Sequence, residues 1–182
     1  MFIRRLFLLL LVLAAAGAGL VYSGVYNVAA NAKPTAAEQW LLETVRDHSI
    51  ARRAKAIAVP PLGAPEQIRQ GFELYRALCR GCHGGAGGWP EEPAMGLHPV
   101  PPGLGQERVQ KLSDAELFWV IQNGIRFTGM PSFGAMHEDA DLWALVAFTR
   151  QLPKLSDEDF ERLAREAEAA AAKPAGTEPE KP

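Results

Sequence analysis

Cysteine is nearly absent from this chain: Cys79 and Cys82 are the two in its 182 residues. Two thiols allow one disulfide at most, which excludes a disulfide-stapled scaffold. The pair would also be a poor staple, because closing so short a loop restricts the unfolded chain little. A chemical use for both thiols is the better reading. An excess of positive charge is missing too. Lys and Arg number 19 against 21 Asp and Glu, a formal net charge of −2. Nothing is left over to neutralise a phosphate backbone, which argues against a nucleic-acid binder. No internal repeat is visible, and no alternation of apolar and polar residues marks a strand. The expected fold class is therefore all-α.

Charge is lacking altogether from residues 6–25, directly behind Arg4 and Arg5. At about 1.5 Å per residue, a helix of that length spans the roughly 30 Å of a bilayer core. A cleavable signal peptide usually has a shorter apolar region of about 7–15 residues, although Ala30-Asn31-Ala32 resembles a late cleavage site. An uncleaved transmembrane anchor is the favoured reading and a signal peptide the alternative. Residues 1–5 are then a cytoplasmic n-region, since arginines stay inside. The expected location is the cell inner membrane, with the bulk of the chain on the periplasmic side.

Residues 26–63 read as a juxtamembrane helix and linker. Thr35-Ala36-Ala37-Glu38 has the form of a capping box, opening a helix expected over residues 35–58 with Trp40, Leu41, Thr44, Val45 and His48 near one face. Arg46, Arg52, Arg53 and Lys55 are read as a solvated face, with a place near anionic lipid headgroups as the alternative. A compact domain is expected over residues 64–153. Its first helix covers residues 65–78, followed by an irregular Gly/Pro-rich loop over 81–105. Ser113-Asp114-Ala115-Glu116 is a second capping box, and that helix stops at Asn123-Gly124. A third helix covers residues 138–152, with Leu142, Leu145, Val146 and Thr149 on its inner face. A further helix over 154–172 has few large apolar residues beyond Leu155, Phe160 and Leu163, so weak packing is expected of it. Residues 173–182 read as a disordered tail. Three short helices and a long loop make a thin core, so something other than protein is expected to fill the centre.

Cys79-Arg80-Gly81-Cys82-His83 supplies that filling. Two thiols at this spacing, followed at once by His, carry the attachment signature of c-type haem. One turn separates the cysteines, so both sulfurs can reach the vinyl groups on one porphyrin edge, and the adjacent His can supply an axial nitrogen to iron. A thioredoxin-like pair would sit near a strand, and zinc would need further paired ligands; neither context is present. For the second axial position, Met130 in Thr128-Gly129-Met130-Pro131 stands out. Gly129 permits close backbone approach and Pro131 stiffens the turn, whereas a methionine serving only as core filler needs neither. His98, His137 and Met95 are the competing ligands, Met136 sits beside a helix start, and His48 is read as a stalk residue.

The stretches GFELYRALCRGCHG (residues 71–84), PPGL (101–104), FWVIQNGIRFTGMPSF (118–133) and DLWALVAFTRQLP (141–153) together resemble a class I monohaem cytochrome c. The resemblance implies a small cytochrome c fold, with three main helices around one covalently bound haem c. It implies that Cys79 and Cys82 bind the haem, with His83 the proximal and Met130 the distal iron ligand. It also implies that a carbonyl in Pro101-Pro102 accepts a hydrogen bond from His83, and that Gly71 and Tyr75 cross the last helix near Trp143 and Phe148. Trp119 is placed either near the haem edge or in ordinary packing. The anchor, the juxtamembrane helix and everything after Pro153 lie outside the pattern.

A His/Met iron has no vacant position, so one-electron transfer rather than catalysis is the expected task. The leading expectation is a membrane-tethered electron carrier in a respiratory chain. Its partners would be redox protein donors and acceptors, with a membrane oxidase or dehydrogenase among the candidates. A close variant makes it the cytochrome subunit of a larger membrane oxidoreductase. A different class, a haem-based gas sensor or peroxidase, would need a labile sixth ligand, and an assembly factor using the thiols would carry no haem.

Overall fold

A computed structural model describes residues 1–172; the expectation of a disordered tail over 173–182 lies outside the described residues. The described chain is helical and contains no strand. It divides into two units, residues 1–35 and the remainder from Ala36 onward.

The first unit is built on α1 (Phe2–Tyr22), in which no residue is buried. Among the described residues it is the one helix long and apolar enough to cross a membrane, and a signal sequence would share those properties. It begins earlier than the apolar run, taking in Arg4 and Arg5, and ends at Ser23.

The second unit starts with α2 (Ala36–Ala54), a little shorter than the span expected from its capping box. Its contact with the body is made by its second half, where Ile50 and Ala54 are buried, and it packs on α7. Trp40, Leu41, Leu42 and Val45 in its first half are exposed. The expected apolar face is thus present, but it points away from protein. α3 (Pro65–Leu78) begins with Pro at its first position, where the missing N–H costs nothing. The short helices α4 (Arg80–His83), α5 (Glu92–Met95) and α6 (Glu107–Gln110) punctuate the Gly/Pro-rich stretch. α7 (Asp114–Asn123) is opened by Ser113 and Glu116, each capping the other's backbone N–H, and closed by Gly124 at φ 66°. α8 (Asp139–Thr149) is followed by a 3-10 turn, Leu152–Lys154. Pro153 prevents the α-helix from continuing through it.

The core forms where α3 crosses α8. The fit depends on Gly71: a Cβ there would stand 2.6 Å from the carbonyl carbon of Ala144 and 2.8 Å from Phe148 Cβ. Tyr75 packs on the Phe148 ring at 5.2 Å. Trp143, next to Ala144 in the chain, turns its ring towards α7 and stacks on Phe118 with ring centroids 4.2 Å apart. Residues from Leu142 to Thr149 are all buried, because α8 packs on α3 and α7 and Phe160 of the terminal helix closes on Phe148.

That terminal helix, α9 (Asp157–Ala172), corrects the expectation of weak packing. Phe160 is 1% exposed and Ala164 3%. The Phe160 ring meets Phe72 at 5.5 Å, Tyr75 at 5.9 Å and Phe148 at 6.4 Å. One large aromatic placed centrally in an aromatic cluster secures a helix that is otherwise polar.

Candidate functional site

The chain turns sharply after α3, and this turn presents the Cys-x-x-Cys-His sequence. The N–H groups of Cys82 and His83 both return to Cys79 O, at 3.1 and 2.9 Å. One helical turn therefore carries both thiols and the imidazole. Gly84 ends it at φ 73°, with no room for a side chain, since a Cβ would lie 2.8 Å from the carbonyl carbon of Gly88. Buried Tyr75 fixes the same point from α3, its hydroxyl donating to Gly84 O at 2.8 Å. Burial raises the pKa of that hydroxyl, with the Cys79 charge adding to the effect, so Tyr75 remains a neutral donor.

Neither cysteine is in a disulfide, and Cys79 is buried while Cys82 is half-buried. Burial, and secondarily the neighbouring Cys82, pushes the Cys79 thiol up to about 12. A thiol so disfavoured as thiolate is unlike an activated redox cysteine, whose pKa is lowered.

His83 is 8% exposed. Its Nδ1 lies 2.7 Å from Pro102 O. A carbonyl can only accept, so Nδ1 carries the proton and Nε2 is the ring nitrogen left for a metal. Burial lowers the imidazole pKa, with the Pro102 contact opposing it; the shift favours the neutral ring that a metal ligand requires. The structure thus selects Pro102 from the pair expected to provide this acceptor.

Pro102 is itself held in place. Gln110 Nε2 donates to Leu104 O at 2.7 Å and to Thr149 O at 3.1 Å, tying the Pro-Pro-Gly-Leu segment to the end of α8. Arg150 braces the same region through Asp114 Oδ1 at 2.7 Å and Gln110 O at 2.9 Å. Sequence reading missed both residues. A Gln and an Arg at element ends give no periodic signal, and only their long-range partners reveal a role.

The Met130 loop is stitched to the end of α7. Ile125 N–H donates to Met130 O at 3.2 Å, and Thr128 Oγ1 accepts from Met130 N–H at 3.1 Å. Ser132 Oγ donates to Gln122 O at 2.7 Å, while Phe133 and Gly134 N–H donate to Ile121 O and Gln122 O at 3.1 and 3.0 Å. Gly124 lets the loop fold back, since a Cβ there would stand 2.7 Å from Met130 O. Met130 is half-buried and packs against the core. Gly129 approaches the earlier loop so closely that a Cβ would meet Leu97 Cδ1 at 2.5 Å.

The competing residues are placed differently. Met95 is 47% exposed and Met136 73%, and His98 and His48 are also exposed. His137 is half-buried, 3.8 Å from the Asp141 carboxylate. Trp119 is half-buried on α7. Among the described residues, no group of three or more His, Cys, Asp or Glu could hold a bare metal ion.

Residues 66–148 match the family model described as cytochrome c oxidase, cbb3-type, subunit III. This segment is a class I c-type cytochrome domain. No curated protein matches the chain. A cytochrome domain of this kind carries haem and transfers electrons, and the donor set fits that group. Two thiols share one turn, and one buried neutral imidazole has Nδ1 committed to Pro102. A thioether stands in a separately braced loop. The match starts within α3 and ends within α8, so α1, α2 and α9 are additions to the cytochrome domain.

Proposed function

We propose that this protein is a membrane-tethered electron carrier of a respiratory chain, anchored in the inner membrane by α1 with its cytochrome domain in the periplasm. One haem is held covalently. Cys79 and Cys82 would hold it through thioether bonds to its two vinyl groups. His83 Nε2 and the Met130 thioether would be the two protein ligands to its iron. When bound, the haem supplies one-electron chemistry between ferrous and ferric iron, and thioether ligation favours the reduced state.

The chain's own residues supply orientation and exclusion of water. Pro102 keeps the proton on Nδ1 of His83. Tyr75 and Gly84 fix the attachment turn, and the Thr128 and Gly124 contacts hold Met130 at a defined depth. The observation that carries the reading is the buried His83, directed by Pro102 O at 2.7 Å and placed on the same turn as two free thiols.

A second reading, the cytochrome subunit of a larger membrane oxidoreductase, is favoured by α2. Its exposed Trp40, Leu41, Leu42 and Val45 form an apolar surface beside an otherwise soluble body, of the kind buried at subunit interfaces. A stoichiometric partner co-purifying with the full chain, and lost on Trp40→Ser plus Leu41→Ser, would select this reading over the free carrier.

The test is a reduced-minus-oxidised spectrum of the membrane fraction, repeated with Met130→Ala. The expected result is a c-type band in both, with a lower potential and newly gained carbon monoxide binding in the variant. Pigment extracted by acidified acetone, or a mature chain whose mass is that of its amino acids alone, would refute covalent attachment. Carbon monoxide binding by the unsubstituted protein at neutral pH would refute Met130 as a stable ligand.

A further inference from the structure

The attachment turn is covered from behind by α9, which is outside the family match. Arg80, the first of the two residues between the cysteines, lies with its guanidinium 5.8 Å from the Phe160 ring centroid. Its Nη2 donates to Glu161 Oε1 at 2.8 Å. Asp157, at the start of α9, lies against the glycines that follow the turn: a Cβ on Gly87 would be 3.3 Å from its Oδ1. From the other side, Glu91 N–H donates to Gly81 O at 2.9 Å, and its carboxylate Oε2 lies 3.6 Å from where a Gly81 Cβ would stand. These four charged residues line one small cleft of about 190 Å³. Arg76 anchors α9 further along, donating to Ala164 O at 2.8 Å.

We propose that α9 sets the reduction potential of the haem held at residues 79–83: Asp157 and Glu161 draw the potential down, and Arg80 draws it up. The proposal rests on the reading that Cys79, Cys82 and His83 hold haem. Ferric iron carries one positive charge more than ferrous, so a nearby carboxylate favours the oxidised form and a nearby guanidinium the reduced form. The cleft holds one cation against three carboxylates, and α9 contributes two of the three. Arg80 and Glu161 side chains are 38% and 46% exposed, so water and salt screen their effect, over a distance of about 10 Å at 0.1 M ionic strength.

Charge and packing predict different signs. If α9 only shielded the turn, loosening it at any position would admit water and move the potential in one direction. If its charges act, the two halves of the Arg80–Glu161 pair move the potential in opposite directions.

The experiment is a redox titration of the full-length protein in detergent, for Arg80→Gln, Glu161→Gln, Asp157→Asn and the Arg80→Gln/Glu161→Gln double variant, at low and high salt. Haem content is read from the covalent band of each sample. The expected results are a lower potential for Arg80→Gln and a higher one for Glu161→Gln and Asp157→Asn. The double variant should fall between its parents, and all shifts should shrink at high salt. Shifts of one sign throughout, or none in samples with full haem content, overturn this proposal while leaving the haem reading intact. Absence of covalent haem from the unsubstituted protein overturns both.

Discussion

Gly71→Ala is the sharpest probe of the helix crossing beneath the attachment turn. In an exposed helix the change stabilises, by about 1 kcal/mol, because Ala loses less backbone freedom on folding. At Gly71 the sign should reverse. The new methyl would be driven onto the carbonyl of Ala144, 2.6 Å from its carbon and 2.8 Å from Phe148 Cβ, where ordinary contact begins at 3.4 Å. The shortfall against the carbon is 3.4 − 2.6 = 0.8 Å. The obstacle is backbone, so no side-chain rotation relieves it, and α3 must lift from α8. Overpacking of this sort costs about 1–3 kcal/mol. A backbone clash at the centre of the fold belongs at the upper end, leaving a net loss of about 2 kcal/mol after the helix gain. At roughly 4 °C per kcal/mol for a body of this size, the melting temperature should fall by about 8 °C. Thermal denaturation of the haem-loaded full chain, followed by far-ultraviolet circular dichroism in detergent, measures it. A variant that melts at or above the parent temperature would show that α3 and α8 do not cross at Gly71.

Two further outcomes follow from α9. Phe160→Ala removes a ring that is 1% exposed and touches three other aromatics. It should cost about 3–5 kcal/mol in urea unfolding, and a loss under about 1 kcal/mol would show α9 to be peripheral. Hydrogen bonds from Arg162 first, and then from Ser156, hold the Asp159 carboxyl at about 2, below the usual carboxylate range. Its folded pKa is depressed, so the stabilisation it brings is present above pH 4 and is lost as the pH falls towards 2. Asp159→Asn should flatten that part of the stability–pH curve, and an unchanged slope would refute the contact.

What could be read from the sequence was what local chemistry decides. Cys79, Cys82 and His83 announce themselves by spacing. Ser113 and Glu116 form the expected capping box, and Pro65 and Leu78 bound α3 at the expected residues. Gly71 and Phe148 meet as the resemblance implied. What could not be read depends on partners distant in the chain. Pro101 and Pro102 are equivalent by composition, and only the fold brings the carbonyl of Pro102 to His83. Trp143 and Phe148 both lie on α8, yet Trp143 faces Phe118 and Phe148 faces α3. Gln110 and Arg150 owe their roles to acceptors some forty positions away.

Phe160 shows why counting apolar residues misjudged α9. A helix with few large side chains reads as weakly held, because burial energy scales with apolar area. The area that matters is the area covered, however, and one phenylalanine inserted among Phe72, Tyr75 and Phe148 covers nearly all of its own. Periodicity averages over a helix, whereas a single anchor is decided by the cavity it enters. The same insertion brings Glu161 and Asp157 to the back of the attachment turn. The carboxylates sit there because Glu161 follows Phe160 directly and Asp157 precedes it by three positions. Removing the ring should therefore remove their electrostatic effect as well. In the Phe160→Ala background, Glu161→Gln should lose its upward shift in potential, and a shift of full size would show that the carboxylate reaches the turn without the anchor.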